Sequence, residues 1–170
     1  MASAKSLVNL KVSELLKLTA SPLPTPGGGS AAALAGALAA ALVEKIARKT
    51  ARRERRALRL AARASVLRVR FTRAVQEDAH WYWRVVIAFR KRNHRAALRA
   101  LVRATAVPKG VVADARQVIS LLHQLKPLSA KVWHSDLQCA WLLAEAAQGA
   151  GLALIIANQQ FMAQWSKRHR

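Results

Sequence analysis

The chain has very little of several things, and each shortage narrows what it can be. A single cysteine, Cys139, excludes an internal disulfide framework and every metal site built from several cysteines. Only 8 of its 170 residues are Asp or Glu, so an acid set at a core-facing position needs a reason. Aromatics amount to 5%, β-branched residues are sparse, and apolar and polar residues nowhere alternate, so no segment reads as a strand. Long apolar runs are missing too. Ala31–Val43, AAALAGALAAALV, is the longest and falls short of the about 20 residues that a bilayer span requires. Its residues are small, which suits a helix buried at the centre of a bundle or at a dimer interface. No membrane span is expected. The start, MASAKSLVNL, carries no sustained apolar region, and a cytoplasmic location is expected.

What is abundant is arginine. Lys and Arg number 29, for a formal charge of +21, in a chain that is still 53% hydrophobic. A domain of this length and apolar content can bury a real core, and residues 1–170 are read as a single domain. The field of such a charge attracts polyanions: nucleic acid, acidic membrane surface, or phosphorylated and polyglutamylated small molecules. A solvated basic coat is the plainer reading of the same residues.

Punctuation and periodicity predict an all-α protein, five or six helices in an up-and-down bundle. A short helix spans Lys11–Ala20. Prolines and glycines follow in Pro24-Thr25-Pro26-Gly27-Gly28-Gly29-Ser30, and a small-residue helix runs over Ser30–Lys49 with Ser30 expected as its cap. No glycine or proline interrupts residues 52–92. There Ala57, Leu60, Ala64, Leu67, Phe71 and Ala74 recur at helical spacing as an inward stripe. Arg52, Arg56, Arg59, Arg63, Arg70 and Arg73 follow the same spacing on the opposite face as an arginine ridge. Asn93–His94 is expected to break the pattern, with a helix to about Thr105, another opened by Pro108 and running to Leu125, and a last one over Leu137–Trp165.

Candidate chemistry collects at two places. Gly27–Gly29 ahead of a helix is a loop that a ligand can approach closely and a natural seat for an anion or polar head. The next position of the inward stripe after Ala74 is Asp78, either paired with an arginine or desolvated with a raised pKa. His80, His94, His123, His134 and His169 show no ligand spacing, so no metal is expected. The Gly27–Gly29 loop lacks the Gly-Lys-Ser/Thr ending of a phosphate-cradling P-loop. Trp81-Tyr82-Trp83 beside Arg84 offers rings for base stacking, but neighbouring rings on a helix point apart and are read mainly as core residues.

The glycine motif and its Ala/Gly helix resemble the opening of the formiminotetrahydrofolate cyclodeaminase / methenyltetrahydrofolate cyclohydrolase family. The resemblance continues in order through Glu77-Asp78-Ala79, Ala104-Thr105-Ala106-Val107-Pro108, Ser135-Asp136-Leu137-Gln138 and Asn158, nearly the whole chain. It implies an all-helical homodimer acting on a tetrahydrofolate derivative, by cyclising a formimino group with loss of ammonia or by hydrolysing a methenyl bridge. It further implies Asp78 as acid/base with Asp136 in support, and Pro26, Gly27, Gly28, Gly29, Ser30 and Asn158 as substrate-binding residues. The chain departs from the family pattern at Leu154–Ala157, Arg90–Asn93 and Lys131–His134. Those departures and the arginine coat leave a second expectation: an inactive, repurposed or engineered scaffold whose ridge of Arg52, Arg56, Arg59, Arg63, Arg70 and Arg73 binds nucleic acid, another polyanion or a protein complex.

Overall fold

Five α-helices account for most of residues 6–168, which the computed structural model describes: α1 Val12–Thr19, α2 Gly28–Thr50, α3 Ala57–Arg90, α4 His94–Leu125 and α5 His134–Arg168. Short 3-10 turns precede α1 and join α4 to α5, and no strand occurs among the described residues. His169 lies outside them.

Small residues put α2 in the middle. Ala33, Ala39, Ala40, Val43, Ile46 and Ala47 are fully buried, and α3, α4 and α5 all pack against this helix. Its Gly36 lies against the Phe71 ring of α3, at a place where a methyl group would collide with that ring. The α3 stripe is inward as its spacing predicts: Ala57, Leu60, Ala64, Leu67 and Phe71 are buried, Ala74 partly so. By length and apolar composition both α2 and α5 could cross a membrane. The bundle buries most of α2, whereas α5 leaves Leu142, Leu152, Ile156 and Phe161 exposed.

The expected break at Asn93 is real, and its geometry is a Schellman turn built without glycine. Asn93 N–H reaches back to Ala88 O and Arg92 N–H to Phe89 O, both at 2.9 Å. That pattern demands a left-handed residue after the cap, and Arg92 takes it, with φ of 52°. Asn93 then caps α4 by accepting from the Ala96 N–H at 3.0 Å.

Besides α5, which begins at His134 rather than Leu137, two helix starts differ from the sequence expectation. Pro108 does not open a helix; it sits inside a continuous α4 of 32 residues. Core contacts on both flanks, from Leu101 to Leu125, outweigh the one ladder bond that proline removes. Ser30 does not cap α2. The helix starts two residues earlier, with Gly27 as the cap, and Ser30 lies buried in its first turn.

Some arginines are structural struts. Glu44 of α2, buried, holds Arg48 at 2.7 Å and Arg68 of α3 at 2.8 Å. Burial alone would raise the Glu44 pKa, but the hydrogen bonds from the two guanidiniums win and hold it below the ordinary value. Asp114 of α4, equally buried, takes Arg70 of α3 at 2.9 Å; there burial wins and its pKa is raised.

Candidate functional site

The three glycines end at a partly open cavity of about 310 Å³ lined by four helices and the loop. Its wall is made of pairs one helical turn apart, which share a face: Asp78 and Tyr82 from α3, Ala104 and Pro108 from α4, Leu154 and Asn158 from α5. Pro24, Thr25, Gly27, Gly28 and Gly29 close it from the loop and the start of α2. The glycine motif, Asp78 and Asn158, separated by up to 131 residues in sequence (158 − 27), thus meet at one place. Pro26 is buried within the loop rather than in the wall.

Asp78 lies directly against Gly29. A Cβ at position 29 would overlap its carboxyl group, so only glycine lets the acid rest on the first turn of α2. Ser30 Oγ stands 3.0 Å from Asp78 Oδ2 and 3.0 Å from the Val75 carbonyl. Burial pushes the Asp78 pKa up, and hydrogen bonds from the Ser30 side chain and backbone only partly offset it. A hydroxyl carries a single proton. If Ser30 donates it to Val75, the contact with Asp78 is satisfied by a protonated carboxyl donating to Ser30. If Asp78 is ionised, the Ser30 proton turns toward it. The site therefore offers a carboxyl that can hold or release a proton with a matched partner in either state.

Pro108 adds a further polar group. It has no N–H to give to the Ala104 carbonyl four residues back, and Ala104 and Pro108 both stand in the cavity wall. The Ala104 carbonyl thereby lacks its usual ladder donor at a residue of the cavity wall, where Tyr82 and Asn158 also stand.

Asp136 is not brought to this cavity within the chain. It occupies the first turn of α5 and pairs with Lys45 at 2.9 Å. The arginine ridge is likewise divided. Arg56 pairs with Glu54 at 3.0 Å and shares a shallow recess with Arg59 and Arg63. Arg70 is tied to Asp114, and Arg70 and Arg73 border a separate cavity beside Trp81. Arg52 is exposed just beyond α2. Among the described residues no group of three or more His, Cys, Asp or Glu could hold a metal ion.

Tyr82, Thr25, Ala104, Pro108 and Leu154 were not singled out from the sequence as site residues. The signal for Tyr82 was present, since it follows Asp78 by four positions and so shares its face. A helix start at Pro108 puts Ala104 on a different element, so the α4 pair has no sequence signal.

A continuous helical bundle with a desolvated acid held over a glycine-opened helix places the protein among all-helical domains with a cavity between their helices. A family model for formiminotransferase-cyclodeaminase matches residues 11–169, and the chain belongs to that family. Its fold is also that of the crystal structure of formiminotetrahydrofolate cyclodeaminase from Thermotoga maritima, with a TM-score of 0.84 and 24% identity over 89% of this chain and 79% of that one. No curated protein matches the chain.

Proposed function

We propose that the chain is a one-carbon enzyme that converts formimino- or methenyltetrahydrofolate, with Asp78 as its acid/base. The observation that carries this reading is the position of Asp78: it is partly buried, desolvation raises its proton affinity, it lies against Gly29, and it faces a cavity of substrate-head size. Membership of the family supplies the substrate class.

Two reactions use such a group. In cyclodeamination the folate N10 attacks the formimino carbon, its proton passes to a base, and the departing nitrogen takes a proton to leave as ammonia. In hydrolysis a base accepts a proton from the water that attacks the methenyl carbon. A carboxyl with raised pKa serves as donor or acceptor, a role that contributes about 10²–10⁴-fold. Ser30 holds the carboxyl in either state. The first-turn N–H groups of α2 and the Ala104 carbonyl give acceptors and donors of a pterin head complementary partners. Substrate would lie against Gly27–Gly29 with Asn158 opposite. The protein would act as a homodimer, and the exposed apolar residues of α5 support that assembly.

Methenyltetrahydrofolate absorbance, which rises when the formimino substrate is cyclised and falls when the methenyl bridge is hydrolysed, followed for the parent and Asp78→Asn, tests the reading. The expected result is turnover in the parent and a loss of about 10²-fold or more in the variant. No turnover in the parent, on either substrate, would favour the inactive polyanion-binding scaffold instead.

A further inference from the structure

On the side of the α3–α4 seam away from the Asp78 cavity, a second, larger cavity of about 820 Å³ opens between the end of α3 and the start of α4. Two helical stripes face each other across it. Arg84 projects from α3 and Lys91 from its C-terminal cap, and Arg99 and Arg103 from α4. No Asp or Glu lines it, and none of these four cations is in an ion pair among the described residues. Its floor is apolar, with Ile87, Ala88, Ala96 and Ala100. At its inner end stands Trp81, half-buried, with the Arg84 guanidinium 5.6 Å above the ring. Trp81 and Arg103 also border the neighbouring 410 Å³ cavity, so the two form one elongated groove. In that second part the acids Glu77 and Asp114 appear, and Arg70 is engaged by Asp114. The uncompensated positive track is therefore the stretch from Trp81 to Lys91.

We infer that this groove binds single-stranded nucleic acid, with phosphates along Arg84, Lys91, Arg99 and Arg103 and a base on Trp81. A solvated basic coat does not account for apolar residues and an indole lining the same cavity as four cations, one of them over the indole ring. At about 1.5 Å rise per residue, Arg84 and Lys91 stand about 10 Å apart along α3 and Arg99 and Arg103 about 6 Å along α4. That two-sided track exceeds one phosphate group and is open at its end, which suits a chain of phosphates better than a single nucleotide. An unpaired base is needed to stack on a half-buried indole in the groove wall, so the single strand is favoured over the duplex. The neighbours of Trp81 fit this division of labour: Tyr82 turns into the Asp78 cavity, and Trp83 is exposed beneath Arg90.

The inference does not depend on the folate reading, since no residue of the track lines the Asp78 cavity. Fluorescence anisotropy with a labelled oligo(dT) 15-mer tests it on the full chain. Four neutralised phosphates give a slope of log affinity against log salt of about −3, at roughly −0.7 each. Binding should persist at about 0.15 M salt, where exposed charges more than about 8 Å apart are largely screened. R99Q/R103Q should lower the slope magnitude by about 1.4. Trp81→Ala should weaken binding by roughly 5- to 100-fold and Trp81→Phe should restore most of it, because stacking on a ring is what is lost. Far-UV circular dichroism would confirm that each variant is folded. R52Q/R59Q removes the same charge at a remote face and should leave affinity nearly unchanged. The inference is overturned if this control loses as much as R99Q/R103Q, if Trp81→Ala binds like the parent, or if nothing binds at that salt. Equal displacement of the oligomer by ATP, by duplex or by polyglutamate would overturn it as well.

Discussion

Replacing Gly29 by alanine should separate catalysis from stability. An ideal Cβ at that position would overlap Oδ1 and Cγ of Asp78 and lie 2.8 Å from Oδ2. The α2 backbone cannot retreat, because Ser30 is bonded to Val75 O and fully buried alanines follow at positions 33, 39 and 40. The side chain of Asp78 must therefore swing away and give up its Ser30 contact. Losing a hydrogen bond of this kind costs about 1–3 kcal/mol. Alanine returns up to about 1 kcal/mol of helix propensity, and hydration of a carboxyl that burial had penalised offsets more. The net change should stay within about 1–2 kcal/mol, or roughly 2–8 °C in Tm at about 2–4 °C per kcal/mol for a chain of this size. Turnover, in contrast, should fall by the full acid/base contribution of about 10²–10⁴-fold. Gly110→Ala is the matched control. Nothing lies within 4 Å of a Cβ there, so only the helix gain remains. Tm should rise by roughly 2–4 °C with turnover unchanged. Thermal melts and methenyltetrahydrofolate absorbance read both variants. Parental turnover in Gly29→Ala would refute the idea that this glycine positions the reacting acid.

Asp78→Asn should shift the pH dependence of stability in one direction. The folded-state pKa of Asp78 is raised above its ordinary 3.8, so the parent loses stability as pH climbs from that value through the raised one. The variant lacks this loss, so its Tm relative to the parent should increase across that window, and a constant difference would contradict burial as the cause. Arg92→Gly should raise Tm by a few degrees, since glycine takes the left-handed φ of 52° without the Cβ penalty of roughly 1 kcal/mol, partly offset by its freer unfolded chain; a fall in Tm would show that the arginine side chain stabilises the turn. Asp136→Asn should cost less than about 1 kcal/mol, because its pair with Lys45 is solvent-exposed, and turnover should hold; a marked loss of turnover with unchanged Tm would place Asp136 in a site completed by a second copy.

Local chemistry determines much of this protein independently of its packing. The small residues of Ala31–Val43 can only favour a helix that others approach closely, and the spacing from Ala57 to Phe71 fixes which face of α3 is inward. The same period carried Asp78 onto that face, so a candidate acid was visible from the sequence. What tertiary structure decided were the questions that depend on partners from elsewhere in the chain. Ser30 reads as a helix cap because caps are local, yet its hydroxyl is claimed by Val75 and Asp78, 45 and 48 residues away. Pro108 reads as a helix start because proline removes one bond; the core contacts on either side of it keep α4 continuous and put Ala104 and Pro108 together in the cavity wall. Arg56, Arg59, Arg63, Arg70 and Arg73 share one spacing, but neighbouring acids and helices divide them. Arg84 and Lys91 meet Arg99 and Arg103 only because a turn with no glycine folds α4 back along α3. Periodicity assigns a residue to a face of its own helix, and only the assembled bundle determines what that face meets.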